Sequence, residues 1–274
     1  MLCLRILLTV GLLGFSASAA RAVPMLDRDM DFTSTTAVRS ATNDAPFTHT
    51  INLAGVNLYY SDYSGPINRS NGPVTAGMVH GIGFDNVDLW QADDMLGPIS
   101  LTANAPGVTF SSHFDHGSDA NGRVLNVSFT GADATALEQM ATGMRYMSIP
   151  SGPHDPSVLT FGGLGVDRNV YIQLYGGSND WSGQPTVTVN NELVGDWTTN
   201  PGPDTQASTF GFFALTDSLG QVVIDLDVLT GNFAGISGVT VLGEQSVPEP
   251  STLLLLGLGA SLGALVAYRK RRRG

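Results

Sequence analysis

The sequence predicts an all-β protein, a β-sandwich with one short helix, followed by a single C-terminal transmembrane helix. From about residue 48 onward, short apolar runs are separated by Gly, Pro, Asn and Asp, a spacing typical of β-sandwiches. One segment, residues 135–147, instead carries apolar side chains at helical spacing. Residues 251–268 are uncharged and mostly apolar, and a helix of that length, at about 1.5 Å per residue, approaches the hydrocarbon thickness of a bilayer.

Ten segments have the composition and boundaries of strands, and two pairs of them are predicted to form hairpins. The segments are 50–60, 83–90, 107–114, 124–130, 157–161, 170–176, 186–189, 209–215, 221–229 and 238–242. The hairpins connect 108–114 to 124–129, and 210–215 to 222–229. In the strand 222–229, Ile224, Leu226 and Val228 alternate with Asp225 and Asp227, which predicts one buried face and one solvated face.

The helix prediction rests on a capping pattern followed by an apolar stripe. Thr135 to Glu138 has the form of a capping box. The apolar residues that then recur at helical spacing are Leu137, Met140, Ala141, Met144 and Met147. We expect this stripe to pack against the edge of the sandwich rather than to form a site.

The N-terminal residues 1–22 have the features of a secretory signal peptide. Arg5 precedes a ten-residue, largely apolar core, and small residues follow at positions 16–22. The only cysteine, Cys3, lies in this segment, so the processed chain is predicted to lack disulfides and thiol chemistry. Residues 23–46 are polar and without clear period, and we expect a flexible lead-in with at most one early strand. The sandwich domain is then predicted at residues 47–246.

The tail, residues 247–274, has three parts in a fixed order. Pro248, Glu249 and Pro250 precede the predicted transmembrane helix 251–268, which is followed by a basic cluster of Arg269, Lys270, Arg271, Arg272 and Arg273. This order resembles the PEP-CTERM sorting signal. The basic cluster predicts that the chain end stays in the cytoplasm.

The PEP-CTERM resemblance implies a processing enzyme as partner and a pathway of export. In that family an exosortase, a membrane protease-transferase, is proposed to cut near Pro248, Glu249 and Pro250. The substrates are exported proteins that are often linked to extracellular polysaccharide. The resemblance therefore implies a precursor anchored in the inner membrane and a final place at the cell surface or in the extracellular matrix. An ordinary tail-anchored protein, with the prolines as a linker, is the alternative.

A second, fainter resemblance concerns the middle of the chain. Residues 159–164 and 170–177 are similar to a strand–loop–strand pair of galactose-binding-like jelly rolls, and 186–190 and 235–241 fit later strands of that fold. The sandwich is therefore expected to be jelly-roll-like. The resemblance carries no ligand residues to this chain.

The charge of the exported portion limits its partners. All 24 acidic residues but only six of the 13 basic residues lie within residues 23–250, so the net charge there is about −18, against −11 for the whole chain. Nucleic acid is disfavoured as a partner by this charge, whereas neutral sugars and cations are compatible with it. Most of the acids are Asp, which favours turns, and calcium binding is the functional alternative.

Two groups of residues are candidate binding sites. His113, Asp115, Asp119 and Asn121, with His116 nearby, have the oxygen and nitrogen ligands of a metal site, although a polar hairpin tip has the same composition. Trp181 and Trp197, with Asn179 and Asp180, combine ring planes and polar groups as sugar-binding sites do.

We expect a non-enzymatic, exported cell-surface protein with a structural or binding role and no cofactor. A carbohydrate-binding module on the same anchor is the alternative. A secreted hydrolase is a further possibility, because Asp93 and Asp94, or Asp225 and Asp227, are paired carboxylates of the kind that glycoside hydrolysis requires.

Overall fold

The structure is a computed structural model, and it describes nine ranges of the chain. These are residues 23–59, 78–88, 95–114, 128–142, 145–148, 156–178, 184–197, 206–230 and 233–245. The predicted signal peptide 1–22 and transmembrane helix 251–268 lie outside them. Within the nine ranges, no helix has both the length and the apolar character that a membrane crossing requires.

The described chain is built mainly of strands, with one α-helix and one 3-10 helix (Thr35–Ala37). The elements are β1 (Met25–Phe32), β2 (Thr50–Tyr59), β3 (Met78–Val79), β4 (Ile82–Gly83), β5 (Asp85–Asp88), β6 (Met95–Ser100), β7 (Thr109–His113), α1 (Ala134–Thr142), β8 (Arg145–Ser148), β9 (Ser157–Gly162), β10 (Asn169–Ser178), β11 (Gln184–Val189), β12 (Glu192–Asp196), β13 (Gln206–Leu215), β14 (Val222–Thr230), β15 (Phe233–Ile236) and β16 (Gly238–Glu244).

Two six-stranded sheets form the body of the protein. The first sheet has the order β1-β13-β10-β16-β2-β5, and the second sheet has the order β12-β11-β14-β9-β7-β6. Neighbouring strands are antiparallel except β2 and β5, which are parallel. Two small pairs, β8 with β15 and β3 with β4, complete the described strands.

The two sheets pack face to face around one apolar core. In β14 the side chains of Ile224, Leu226 and Val228 are buried while Asp225 and Asp227 face outward, as the alternation predicts. They meet side chains from the first sheet such as Ile172 and Phe212, in the same buried cluster. The prediction of an all-β sandwich with one short helix is therefore confirmed.

The first sheet is also covered on its outer face. Helix α1, the segment around Val38 and strand β4 pack there, burying Tyr171, Tyr175 and Leu242 in a second apolar cluster. The close approach of β4 requires Gly55, because a Cβ at that position would contact the backbone oxygen of Gly83. The first sheet is thus buried on both faces.

Both predicted hairpins are wrong, although three of their four segments form strands, namely β7, β13 and β14; most of the fourth, 124–129, lies outside the described residues. Strand β7 has β6 on one side and β9 on the other, so no edge of Thr109–His113 is left to pair with 124–129. Strands β13 and β14 belong to different sheets. The turn after β13 closes as expected, with the Gly220 N–H donating to the Asp217 carbonyl. A tight turn reverses the direction of the chain. It does not determine whether the next strand hydrogen-bonds to the preceding one or joins the opposite sheet.

The lead-in, residues 23–46, contains an edge strand that carries the first part of a site described below. Strand β1 pairs with β13 from Met25↔Phe213 to Phe32↔Ala207. The sequence analysis did not assign β6 or β12, which lie at the edges of the second sheet. Edge strands bury fewer side chains than internal strands, so their sequences show weaker alternation.

Helix α1 is shorter than its apolar stripe predicts. It covers Ala134–Thr142, and Leu137 and Met140 are buried as expected, but Met147 lies in strand β8. The capping box is also wrong. The helix begins at Ala134, so Thr135 lies inside it rather than at its N-cap, and the Glu138 carboxylate accepts the N–H of Phe129 at 2.9 Å, before the helix.

The core packing predicts that two leucines differ greatly in how much stability is lost when each is replaced by alanine. Leu159 in β9 is fully buried, whereas Leu193 in β12 is 63 % exposed. We expect Leu159→Ala to lower the free energy of unfolding by about 2–5 kcal/mol, because it leaves a cavity between the sheets. Leu193→Ala is the matched control and should change it by less than about 0.5 kcal/mol. Urea unfolding of the full chain in detergent, followed by tryptophan fluorescence, measures both, and equal losses would contradict the assigned core.

Candidate functional site

A buried polar network holds the lead-in against the first sheet. The Gln173 amide donates to the Ala37 carbonyl at 2.9 Å and to the Thr209 hydroxyl at 2.8 Å. Its oxygen accepts from the Arg39 N–H at 3.1 Å and from the Tyr175 hydroxyl at 3.0 Å. Gln173 is fully buried, so each of these bonds replaces one that water would otherwise supply. The path of residues 37–39 is therefore fixed by one side chain of strand β10.

Two arginines and two aspartates form a charge cluster beside this network. Asp44 accepts from Arg28 at 2.8 Å and from Arg39 at 2.9 Å. Asp27 accepts from Arg28 at 3.0 Å and from the Tyr171 hydroxyl at 2.9 Å, and lies 3.4 Å from Arg39. The Arg39 guanidinium also lies 5.1 Å from the centre of the Tyr171 ring, within cation–π range. The cluster joins β1 to the turn at residue 44.

The ionisation of the cluster follows from these contacts. Hydrogen bonds from Arg28 and Arg39 hold the pKa of the Asp44 carboxyl below its usual value of 3.8. Burial opposes the charge of Arg28, but its contacts with Asp44 and Asp27 raise its pKa overall. Burial raises the pKa of the Tyr171 phenol above its usual range, so the Tyr171 hydroxyl stays protonated as the donor to Asp27. Asp44 and Arg28 are therefore both held in their charged forms at neutral pH.

An open groove lies between β1 and the 3-10 helix, with a volume of ≈ 690 Å³. Its lining combines two aspartates, two arginines, three hydroxyl side chains, one alanine and one exposed methionine. The lining residues are Asp27, Arg28, Met30, Asp31, Thr33, Ser34, Thr36, Ala37 and Arg39. Because the arginines are already bound to carboxylates, the groove offers polar groups without a free positive charge. Neutral, hydroxyl-rich ligands match such a lining better than anions.

Trp197 does not lie on an exposed surface. Its side chain is fully buried at the end of β12, 6.1 Å from the Phe210 ring between the two sheets. The backbone N–H of Trp197 donates to the Pro185 carbonyl at 2.8 Å. The Trp197 ring is therefore a core side chain, which removes it from the predicted sugar-stacking surface. The other members of that prediction, Trp181, Asn179 and Asp180, lie outside the described residues.

One residue of the predicted metal site, His113, lies in the described part of the chain. His113 is the last residue of β7 and is half-buried, whereas Asp115, Asp119 and Asn121 lie outside the described part of the chain. Within that part, no three His, Cys, Asp or Glu side chains are grouped closely enough to hold a metal ion. The structure leaves this metal site a prediction.

Of the paired carboxylates, Asp225 and Asp227 lie on the outward face of β14. The Asp225 carboxylate accepts a hydrogen bond from the Thr188 hydroxyl of the neighbouring strand at 3.0 Å. Asp93 and Asp94 fall outside the described ranges, as do Pro248, Glu249, Pro250 and the basic cluster 269–273.

The sequence analysis missed the groove and the charge cluster. A signal was present, because Asp27, Asp29 and Asp31 alternate with Leu26, Arg28 and Met30 at the period of a strand. The pairing of Arg28 and Arg39 with Asp44 could not be read in this way, since it depends on how residues 33–49 fold over the sheet.

Comparison with known proteins identifies the tail of the chain. The PEP-CTERM protein-sorting motif matches residues 246–273, which confirms the resemblance seen in the three-part order. The chain therefore carries a PEP-CTERM sorting motif directly after its described fold. No curated protein sequence matches the chain significantly.

Among solved structures, the likenesses are weak. The chain is similar to Bacteroides uniformis beta-glucuronidase 2 covalently bound to cyclophellitol-6-carboxylate aziridine, with 11% identity and a TM-score of 0.35 over 50% of this chain and 14% of that chain. It is also similar to a family 35 carbohydrate binding module from an environmental isolate, with 14% identity and a TM-score of 0.27 over 48% of this chain and 96% of that chain. At these identities and TM-scores the likenesses carry no argument about ligand or activity.

The charge cluster predicts an acid-dependent stability. The Asp44 pKa is lowered in the folded state, so its contribution is present above the usual pKa of 3.8 and is lost as the pH falls below it. We expect Asp44→Asn to cost about 1 kcal/mol at pH 7, because the Asp44 side chain is half-exposed. The difference from the parent protein should shrink as the pH falls below about 4.

Asn preserves the backbone at position 44, where φ is +44°, so the substitution removes only the charge. The matched control is Asp167→Asn. Asp167 also has a positive φ of 50° and is exposed, but forms no ion pair within the described ranges. Urea unfolding from pH 3 to 8 compares the two variants, and a pH-independent loss for Asp44→Asn would contradict the ionic role.

Proposed function

We propose that this chain is an exported β-sandwich protein whose precursor is anchored in the inner membrane and processed at its C-terminus by an exosortase. The processed body then serves at the cell surface or in the extracellular matrix, in a structural or binding role without catalysis. The observation that carries the proposal is the sorting motif at residues 246–273.

The position of the motif relative to the fold supports this proposal. Strand β16 ends at Glu244, and the next N–H, of Gln245, donates to the His49 carbonyl at 2.7 Å. The motif begins at the following residue. Strand β16 lies inside the first sheet, between β10 and β2. A cut near Pro248, Glu249 and Pro250 therefore removes no described strand, and the body keeps its fold after processing.

The test is expression of the full chain in a host with an exosortase and in the same host without it. We expect the mature protein to lose the mass of the C-terminal segment only when the exosortase is present. Substituting Pro248, Glu249 and Pro250 together by Ala should abolish this loss, because the protease handle is removed. Intact-mass measurement of the membrane and medium fractions gives the result.

The matched control is Glu244→Ala, which removes a carboxylate five residues before Glu249 but within the fold. The Glu244 side chain accepts from Asn169 at 3.2 Å on the surface, so its loss should leave processing unchanged. An intact C-terminus in the host that contains the exosortase would refute the proposal.

Glycan binding is a second candidate, and the groove beside β1 favours it. Three hydroxyl side chains, Thr33, Ser34 and Thr36, lie there with the exposed Met30 and the Asp31 carboxylate. Hydroxyl and carboxylate groups beside an apolar side chain match the two kinds of surface that a sugar ring presents. The burial of Trp197 removes one of the two tryptophans from this candidate, and the groove supplies a surface that does not depend on them.

A glycan array with the full chain in detergent tests the second candidate. We expect Thr36→Ala to weaken the affinity for any bound glycan by about tenfold, because it removes one hydroxyl hydrogen bond from the groove. Thr48→Ala, at an exposed position outside the groove lining, is the control. Binding that survives Thr36→Ala unchanged would place the glycan elsewhere.

A further inference from the structure

One end of the sandwich, which we call the exit end, is where strand β16 ends at Glu244. Strand pairing brings other chain segments to the same end: Asn169 opposes Leu215, and Thr50 opposes Glu244. In the second sheet the β11–β12 turn joins it, since the Asn190 amide donates to the Leu215 carbonyl at 3.0 Å. The exit end is therefore formed by residues 23–25, the start of β12 and the connections at residues 47–49, 163–168, 190–191 and 216–221.

The connections 163–168 and 216–221 form one continuous surface at this end. The Leu164 N–H donates to the Gly220 carbonyl at 3.0 Å, and the Thr216 hydroxyl donates to the Gly165 carbonyl at 2.7 Å. The Arg168 guanidinium ties this surface to β16 by donating to the Glu244 carbonyl at 3.0 Å. The exit end is thus held in a fixed shape around the point where the chain leaves the fold.

Apolar side chains are concentrated on the exit end. Among the described residues, eight large hydrophobic side chains are exposed, and five of these are at the exit end, where they are 58% to 75% exposed. They are Val23, Met25, Val166, Leu193 and Leu219. Val166 and Leu219 project from two different connections of the joined surface. Single exposed apolar residues are common on soluble proteins, but a group at one end indicates a contact surface.

The short segment between the fold and the predicted transmembrane helix limits which surface the exit end can contact. Five residues separate Gln245 from the predicted transmembrane helix 251–268, so the exit end lies within about 20 Å of the bilayer in the anchored precursor. The opposite end of the sandwich is farther away by the length of a ten-residue strand such as β10, about 33 Å. The apolar end and the membrane-proximal end are therefore the same end.

We propose that the exit end rests on the lipid bilayer in the precursor, with Val166 and Leu219 in the interfacial region. This inference rests on the anchored precursor of the proposed function and adds the orientation of the body. Apolar loop tips gain free energy by leaving water at the interface, and the tether keeps them there. The nearby Asp217 carboxylate is bound within its own turn, by the N–H groups of Leu219 and Gln221 at 2.8 and 2.9 Å. Asp167, beside Val166, adds an exposed carboxylate, so the exit end suits a zwitterionic rather than an anionic lipid surface.

The test uses the full chain with Cys3 replaced by Ser, so that a single introduced cysteine carries a bimane label. The labelled variants are Val166→Cys and Leu219→Cys, with Thr33→Cys as the control. Thr33 is exposed just after β1, at the end of the sandwich opposite to Met25. The chains are reconstituted in phosphatidylcholine vesicles that contain doxyl-labelled lipid and no exosortase, and flotation first establishes whether they are anchored.

We expect doxyl lipid to quench the labels at 166 and 219 at least about twofold more than the label at 33, because interfacial contact brings them within 5–10 Å of the acyl chains. Adding Leu219→Asp to the Val166→Cys chain should reduce that quenching. Equal quenching at all three positions, or none in chains that float, would overturn the inference and leave the anchor intact. Contact that forms only after exosortase is added would overturn it in favour of a protease-docking surface. Failure to float would refute the anchor itself and the inference with it.

Discussion

The structure depends on the burial of the first sheet on both of its faces. Its inner face is apolar, but its outer face carries Gln173, Tyr175, Thr209 and Thr240, all buried. Such side chains are stable there only because they bind one another and the backbone of the lead-in. Gln173 has the central position, since it holds both Ala37 and Arg39. The groove, the charge cluster and the path of residues 33–49 all follow from this contact.

The same constraint explains why charged residues occur so close to a core. Arg39 lies over the ring of Tyr171, and both Arg28 and Arg39 contact the carboxylates of Asp27 and Asp44, so the desolvation of each charge is offset by direct contacts. The cluster contains Asp27 and Arg28 of strand β1, which is an edge strand. Charged side chains on edge strands oppose pairing with other chains.

The internal strands of both sheets could be predicted from the sequence, and the edge strands largely could not. Strands β10, β13, β14 and β16 bury alternate side chains against a second layer, so their apolar period is strong. Strand β6 contains Gly97 and Pro98, and β12 contains Gly195, because an edge position tolerates these residues. The groove was missed for the same reason, since it is built on an edge strand and on a segment without a period.

The sequence by itself determined the fold class and the sorting motif of the protein. Alternation along a strand and a linear sorting motif are local properties, readable from residues close together in the chain. Only the tertiary structure decided which strands pair, that Trp197 belongs to the core, and that Arg28 and Arg39 share Asp44. It also decided that Val166 and Leu219 lie at the end where the chain leaves the sandwich. These depend on contacts between residues far apart in sequence, which a local pattern does not encode.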